Sequence, residues 1–245
     1  MKRLLLLGGM TPDVTVLYYN TINRVVRTTL GGKHAAPLHL YSANLDDMVG
    51  FATSGNWGAF AKVYTDAVDS LKGQVDGVIV CAILAHKVTQ QINETLAGTG
   101  IPLLHIADCV AKNLKEEHPQ IKTLGLLGPK VTMQGADDPD FFIGRLQRPE
   151  NGFKVLVPET AAGLEEVNRG MMEEVVRGAA AVTERTKAMF IEEARMLARR
   201  GAGAIILGST DLGFVLTQED LGNEVIIVEP AAIHAAEAAR WALEE

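Results

Sequence analysis

The sequence is poor in cysteine and in long apolar runs. Only two of its 245 residues are cysteines, Cys81 and Cys109. Two are too few for a disulfide framework or a cysteine-rich metal cluster. Near the N-terminus the apolar run Leu4–Leu7 stops at two glycines, so it is too short for a membrane span or a signal-peptide core. We therefore expect a protein of the reducing cytoplasm, with no membrane as partner.

Positive charge and nucleotide-binding motifs are also scarce. Lysine and arginine number 23 against 30 acidic residues, a net charge of −7, and the basic residues form no cluster. This balance argues against nucleic acid or an anionic membrane surface as a partner. Neither GxGxxG nor GxxxxGK[ST] occurs, so a nucleotide cofactor is not expected.

Short apolar runs alternate with longer segments of helical periodicity. Because the runs show no polar alternation, they are typical of strands buried on both faces, and their alternation with helices favours parallel βαβ units. The predicted fold class is therefore α/β, with parallel sheets. The predicted strands are Leu4–Leu7, Leu38–Tyr41, Val78–Val80, Leu103–Ile106, Leu124–Leu127, Lys154–Val157, Ala204–Leu207 and Val225–Val228; the predicted helices are Val14–Val26, Trp57–Leu71, Val88–Leu96, Cys109–Glu117, Glu165–Val176, Glu184–Arg199 and Ala231–Glu244.

The strands form two similar sets. RLLLLGGM (3–10) resembles TLGLLGPK (123–130), and GVIVCA (77–82) resembles AIILGS (204–209). Two pairs in the same order, each separated by roughly 120 residues, indicate an internal duplication. We predict an N-terminal lobe of residues 1–121, completed by 225–245, and a C-terminal lobe of residues 122–224.

Ligands of open parallel sheets bind beyond the carboxyl ends of the strands. The first such end is Gly8-Gly9-Met10-Thr11-Pro12. The two glycines let the backbone approach a ligand, and the helix that follows offers free N–H groups to an anion. A plain turn, with Thr11 as N-cap and Pro12 at the first helical position, fits equally well and is compatible with the first interpretation.

Two further strand ends carry residues that could do chemistry. Cys81 and His86 could form a thiolate and its partner, although a small buried cysteine and a helix-start histidine explain them more simply. After the strand 124–127, Lys130 and Thr132 could hold a carboxylate, and the alternative is a polar turn.

The strand Ala204–Leu207 ends on Gly208-Ser209-Thr210-Asp211. Thr210 and Asp211 could cap the next helix or take part in chemistry. The segment is not the GxSxG nucleophile elbow of hydrolases, because Leu212 stands at the place of the second glycine.

Seven motifs in the same order resemble the aspartate/glutamate racemase family, over nearly the whole chain. GGMTPDVT with YYNTIN resembles that family's GGMxxxxT…YYxxIN, and LGGKHAAPLHLYSANLDDM resembles the segment after the first helix. AILAHKV (82–88) stands at the family's CNTxH or TNTxH, and LGLLGPKVTM (124–133) at LGLLGTxxTM. VLVPE…VNRGMMEEVVRG (155–159, 167–178) resembles VLVP…IHxxIxxELxxG. GSTDLG (208–213) stands at GCTE[IL], and VEPAAIHA (228–235) at VxDTTxLHA.

The resemblance implies two Rossmann-like lobes related by a pseudo-twofold, an active site between them and a homodimer. It implies no cofactor: no metal, pyridoxal phosphate or nucleotide. The implied chemistry is removal of a proton next to a carboxylate by one thiol and return of a proton to the other face by a second. The thiols would stand at positions 82 and 209. The residues implied to contact a small carboxylate substrate are Gly9, Met10, Thr11, Ile83, Leu84, Lys130, Thr132, Thr210 and Asp211.

The sequence departs from that pattern at both thiol positions, which hold Ala82 and Ser209. Ile83 and Leu84 replace the family's Asn and Thr, so this part of the pocket is expected to be apolar. Cys81 is one residue away from the family position, and on a strand such an offset points to the opposite face.

A serine hydroxyl ionises far above the thiol range, so Ser209 needs an adjacent base. His86 and His234 are the candidate bases, with Asp211 or Glu229 to orient them; for each histidine a helix-start side chain is the simpler explanation.

Three hypotheses follow from these departures. Ser209 stands in place of a cysteine, as in an engineered trap. Alternatively, Ser209 is native and the protein runs a one-sided reaction, for example decarboxylation or cis–trans isomerisation of a dicarboxylate. In the third hypothesis, the protein binds a carboxylate without turning it over.

Overall fold

The structure is a computed structural model that describes residues 1–244. Within this range every predicted strand is present, and all strand pairs are parallel. The strands are β1 (Leu4–Gly8), β2 (Leu38–Ser42), β3 (Gly77–Val80), β4 (Leu103–Leu104), β5 (Thr123–Leu127), β6 (Lys154–Leu156), β7 (Ala204–Leu207) and β8 (Ile226–Val228). The helices are α1 (Pro12–Leu30), α2 (Leu45–Thr53), α3 (Trp57–Leu71), α4 (Thr89–Leu96), α5 (Ile106–Glu117), α6 (Lys130–Met133), α7 (Phe142–Leu146), α8 (Ala161–Arg169), α9 (Glu184–Arg199), α10 (Gln218–Leu221) and α11 (Pro230–Leu243).

The described chain separates into two compact units, Met1–Cys109 with the segment from Ala231 onward, and Val110–Pro230. These limits differ from those inferred from the sequence, which placed 225–245 as a whole with the first lobe. β8 pairs with β7 instead, as Ile205 faces Ile227, and so lies in the second unit's sheet. Only α11 packs on the first unit, because its buried alanines lie against that unit's core.

The first unit's sheet has the order β2-β1-β3-β4. Its central strands are covered on both faces, which is why the sequence shows apolar runs without alternation. Leu5 and Leu7 pack in one core with α3, whereas Leu4 and Leu6 pack in a second core with α1 and α11. Both faces of the sheet are therefore used for packing, and its carboxyl edge is left for a site.

The second unit's sheet has the equivalent order β6-β5-β7-β8. β1 and β5 occupy the same place in their respective sheets, and so do β3 and β7. These are the strand pairs whose sequences repeat, so the α/β class with two parallel sheets, predicted from the sequence, is confirmed. The core on one side of this sheet gathers Leu127, Ile205 and Leu207 with Phe190 of α9.

The structure changes one predicted helix and adds four that were not predicted. The predicted helix 165–176 begins earlier, as α8, and passes into a π-helical turn over Gly170–Glu174. The carboxylate of Glu174 accepts hydrogen bonds from Thr183 and Thr186 at the start of α9. The helices that were not predicted are α2, α6, α7 and α10. The longest of them, α2, begins at the N-cap Asn44, whose side chain accepts from the Asp46 N–H.

No helix among the described residues is both long enough and apolar enough to cross a membrane.

Candidate active site

The β1–α1 loop is tightly built around Gly9. Gly9 has φ +98°, and a Cβ there would lie 2.3 Å from the backbone N and O of Ala43. Its N–H donates to Thr15 Oγ1 at 2.9 Å, and the Thr15 hydroxyl donates to the Thr11 carbonyl at 3.0 Å. Thr11 is the N-cap of α1 with Pro12 directly after it, as the plain-turn interpretation predicts. Met10 and Thr11, both buried, are therefore held on a loop whose backbone shape only glycine allows.

Cys81 and Ala82, at the end of β3, face opposite sides of the sheet. Cys81 lies in the core with Tyr18 and Ile22, and Ala82 lies in the other core with Met10. Cys81 is 1 % exposed, and burial raises the pKa of its thiol. A thiol that remains protonated and faces away from position 82 is a poor substitute for the family's first thiol.

His86 is used inside the first unit through both ring nitrogens. Nδ1 lies 2.8 Å from the Ala82 carbonyl, to which it must donate, and Nε2 accepts from the Ile106 N–H at 3.2 Å. The ring is 1 % exposed. These contacts define a neutral imidazole that holds the Ala82 loop, which favours the structural interpretation of His86 over that of a proton carrier. Ile83 is buried and Leu84 half-buried, so this part of the edge is apolar.

The end of β5 presents Lys130 and Thr132 on the short helix α6. The Lys130 N–H donates to Asn168 Oδ1 at 2.8 Å, and the Lys130 ammonium forms an ion pair with Glu165. Thr132 is fully buried, and its Oγ1 has no hydrogen-bond partner among the described residues. The cation predicted here is therefore present, but it already has a carboxylate beside it.

The end of β7 presents Ser209, Thr210 and Asp211, all half-buried. Ser209 is the N-cap of a 3₁₀ turn that starts at Thr210, but its side chain does not cap the turn. Its hydroxyl points at Asp211 Oδ2 across 3.5 Å, the outer limit of a hydrogen bond. The Asp211 carboxylate is therefore a potential proton acceptor for the Ser209 hydroxyl.

Glu229 follows β8 and approaches the same turn. Its Oε2 lies 3.2 Å from where a Cβ of Gly213 would be. Partial burial raises the pKa of the Glu229 carboxyl above its ordinary value. The absence of a side chain at Gly213 leaves room for this carboxyl beside the turn.

The loops after β5 and β7 leave their sheet side by side. Leu127 pairs with Leu207, and a Cβ on Gly128 would lie 2.8 Å from the carbonyl carbon of Gly208. In the first unit, Leu7 pairs with Val80 in the same way, so the loops carrying Met10 and Ala82 are neighbours. Each unit thus brings two of the four predicted strand ends together.

Sequence reasoning missed Glu165 and Asn168, which contact Lys130 from α8. The only signal was the family motif IHxxI, in which Asn168 stands at the histidine. Among the described residues, no three His, Cys, Asp or Glu side chains are grouped so that they could hold a metal ion.

Two α/β units of one strand order, each with paired loops at the carboxyl edge of its sheet, define a two-lobed class of α/β protein. The sequence model of the Asp/Glu/hydantoin racemase family matches residues 7–238. A candidate Asp/Glu racemase from Yersinia pestis is 33% identical over 100% of both chains, with a TM-score of 0.86. An aspartate racemase homologue from Pyrococcus horikoshii is 26% identical over 100% of both chains, with a TM-score of 0.78.

Picrophilus torridus aspartate racemase, at 15% identity, has the same fold: the match covers 98% of this chain and 95% of that one, with a TM-score of 0.71. The chain belongs to the Asp/Glu/hydantoin racemase family. Its enzyme class is accordingly that of the isomerases, within the racemases.

Proposed function

We propose that the protein binds a small amino or dicarboxylic acid and moves a proton at the carbon next to a carboxylate, from the Ser209 side and without a cofactor. The observation that carries the proposal is the asymmetry of the two acid/base positions. Ser209 has the Asp211 carboxylate 3.5 Å from its hydroxyl. Ala82 has only a methyl group, and the neighbouring thiol of Cys81 lies in the opposite core.

The chemistry follows from what each group can carry. A serine hydroxyl is a weak base and acid unless a neighbour takes its proton, and Asp211 is the neighbour within reach. A methyl group has no ionisable proton, so Ser209 marks the one face with a protein acid/base. Removal and return of the substrate proton on that face gives exchange with solvent, and the slower inversion takes its proton from water on the other face.

The second unit supplies groups that could hold a substrate carboxylate. The Lys130 ammonium and the hydroxyls of Thr132 and Thr210 lie on the segments that follow the neighbouring strands β5 and β7. In the first unit, the loop after β1 carries Gly9, Met10 and Thr11, which the family motifs also mark.

A second candidate is decarboxylation or cis–trans isomerisation of a dicarboxylate. Ala82, Ile83 and Leu84 favour it, because an apolar wall destabilises a carboxylate held against it. In this case the carbanion formed on loss of CO2 takes its proton from the Ser209 side.

A homodimer in the reducing cytoplasm is the proposed setting. Val16 and Tyr19 of α1 are 55 % and 48 % exposed, large apolar side chains that a second copy of the chain could cover. Cys81 is a free thiol, as is usual in a reducing compartment. Light scattering of the protein as it elutes from a size-exclusion column measures the oligomeric state directly. A monomer at micromolar concentration would contradict the proposed dimer.

The test is proton NMR in D2O with aspartate, glutamate, maleate and substituted malonates. We expect the chain to exchange the proton next to a carboxylate slowly, and to invert that carbon more slowly still, or to release CO2 from a malonate. Ser209→Ala should abolish the reaction, and Ser209→Cys should accelerate it, because a thiol ionises near neutral pH. The matched control is Ser70→Ala, since Ser70 is exposed and its hydroxyl donates to the Asp66 carbonyl of its own helix.

The double variant Ala82→Cys/Ser209→Cys tests the one-face mechanism. With a thiol at each of the two family positions, it should raise the rate of racemisation toward the rate of exchange. Unchanged turnover in Ser209→Ala would show that the reacting group lies elsewhere. Ligand-induced shifts without turnover in every variant would instead identify a carboxylate-binding protein.

A further inference from the structure

The second unit contains a cavity of about 320 Å³ between α9 and the segment that joins β6 to α8. Glu193, Met196 and Leu197 line it from α9, where spacings of three and four residues place side chains on one face. Glu159 and Thr160 line it from the joining segment. The volume is at the lower end of the range of small-molecule sites. None of the lining residues lies on the segments after β5 and β7, so the cavity is separate from the candidate active site.

The half-buried Glu193 carboxylate faces this cavity without a hydrogen-bond or ion-pair partner among residues 1–244. Its Oε1 lies 2.9 Å from where a Cβ of Gly163 would be, so the glycine leaves room for it. The Gly163 N–H is not available to it, because that group donates to Thr160 Oγ1 at 3.0 Å. Burial and the neighbouring Glu192 raise the pKa of the Glu193 carboxyl, against the opposing effect of Arg200. A partly desolvated carboxylate of this kind favours a cation as its partner.

Two arginines also line the cavity, and both already have partners. Nη1 of Arg200 donates to the Val157 carbonyl at 2.7 Å, and its Nε lies 4.0 Å from Glu159. Arg199 pairs with Glu192 at 2.6 Å. The charge left without a close partner is therefore negative. An anion would have to compete with these existing contacts, whereas a cation would complete the unpaired carboxylate.

An apolar surface lies beside that carboxylate on the same face of α9. Leu197 is fully buried, and Met196 is 37% exposed. Methionine is unbranched and adapts its shape to a group that packs on it. Removal of an alkyl chain from water against such a surface is favourable. The cavity thus combines one negative group with an apolar wall.

We propose that the cavity is a binding site for a small primary aliphatic amine. The ammonium donates to the Glu193 carboxylate, and the alkyl chain packs on Met196 and Leu197. An ammonium has three donors, so it also reaches acceptors such as the Thr160 hydroxyl or water. The site goes beyond the proposed function and does not depend on it, because it takes a cation at α9 rather than a carboxylate beside Ser209.

Titration of the full chain with butylamine, butanol and butyrate, followed by ¹⁵N NMR, tests the proposal. These probes have similar alkyl chains, and their head groups are positive, neutral and negative. We expect saturable shifts of the Gly163 and Glu193 amides with butylamine, and binding of butanol and butyrate that is weaker by about fivefold or more, the size expected for a partly exposed charge pair.

Glu193→Gln should weaken butylamine by about fivefold and leave butanol unchanged, because it removes the charge and keeps the shape. Glu192→Gln is the matched control. It removes the same charge one residue away, where the exposed Glu192 pairs with Arg199, and it should change butylamine binding little. Urea unfolding of both variants shows whether each keeps the fold.

Met196→Ala tests the apolar wall while it leaves the carboxylate in place. It should weaken butylamine more than methylamine, because only the longer chain reaches the wall. An equal effect on both amines would show that the alkyl chain does not pack there and would overturn the proposed pose.

Four further results would overturn the amine site. They are butyrate binding as tightly as butylamine, equal weakening of butylamine in Glu192→Gln and Glu193→Gln, no saturable shift at the cavity, and butylamine shifts confined to the segments after β5 and β7. None of these results decides the proposed function, which is measured by exchange and turnover of acids.

Discussion

Tyr18 of α1 donates its phenolic hydrogen to Nδ1 of His234 of α11 at 2.9 Å, and both side chains are fully buried. The direction is set by the other ring nitrogen. Nε2 lies 2.9 Å from the Leu104 carbonyl and must donate to it, which leaves Nδ1 as an acceptor. His234 is therefore neutral in the fold and ties α1, α11 and the end of β4 together.

Stability should fall as the pH drops below about 6.5. Burial is the main cause that lowers the pKa of His234, to about 4. Between pH 6.5, the ordinary pKa of a histidine in the unfolded chain, and pH 4, the unfolded chain binds a proton at His234 that the folded chain does not bind. The stabilisation is complete above the unfolded pKa, and about 2 kcal/mol of it is lost between pH 7.5 and pH 5.

Urea unfolding at the two pH values measures this loss. His234→Gln keeps a donor and an acceptor but does not titrate, so its stability should depend less on pH. His34→Gln, at an exposed histidine, should behave as the original chain does. Equal pH dependence in the original chain and His234→Gln would contradict the assignment.

Gly9→Ala should destabilise the first unit by about 3 kcal/mol or more, because a positive φ and a steric clash add. Gly178→Ala is a matched control, since Gly178 has the same φ of +98° with no atom within 4 Å of its Cβ position. That variant should lose only about 1 kcal/mol. Chemical denaturation measures the free energy of unfolding of both variants. Equal losses would mean that the clash with Ala43 adds nothing to the destabilisation by Gly9→Ala.

Cys81 should be unreactive in the folded protein. Its thiol is 1% exposed, and its pKa is raised by burial, so little thiolate forms at neutral pH. Peptide mass spectrometry after brief iodoacetamide treatment should find Cys81 unlabelled until urea is added. Cys81→Ala should keep whatever turnover the chain has; rapid labelling, or loss of turnover with the fold intact, would restore Cys81 as a catalytic candidate.

Glu174→Gln should loosen the segment between the π-helical turn and α9. Hydrogen bonds from the Thr183 N–H, and then from Thr186 and Arg169, lower the pKa of the Glu174 carboxyl to about 2. The charged form stabilises the fold above the unfolded pKa, and that stabilisation is lost as the pH falls toward 2. At pH 8 the carboxylate of the original chain is charged and holds the segment, whereas the variant lacks the charge. Limited trypsin digestion at this pH should cleave after Arg177 roughly several times faster in the variant.

Glu173→Gln is the control for that experiment. Glu173 makes one long ion pair with Arg169, at 3.8 Å, so its loss should change the cleavage rate little. Equal acceleration in both variants would mean that net charge, rather than the Glu174 hydrogen bonds, orders the segment.

Much of this protein could be predicted without coordinates. Uninterrupted apolar runs such as Leu4–Leu7 identified buried parallel strands, because a strand covered on both faces has no polar side to alternate with. The repeated strand sequences predicted two equivalent sheets, and the strand ends predicted where polar side chains such as Lys130 and Ser209 collect. The Thr11-Pro12 helix start followed from local backbone preferences alone.

Other features depended on which distant residues meet. The side-chain periodicity placed Cys81 and Ala82 on opposite faces, but only the tertiary packing showed that Cys81 is buried in one core with Tyr18. No local pattern marks Asn168 and Glu165 as partners of Lys130, since they lie more than thirty residues away and reach it through the neighbouring strand's helix. β8 likewise carries an apolar run that fits either sheet, and strand pairing assigned it to the second. The short-range apolar pattern of the sequence determines which residues form strands. Which strands pair with one another depends on burial and hydrogen bonding summed over the whole fold.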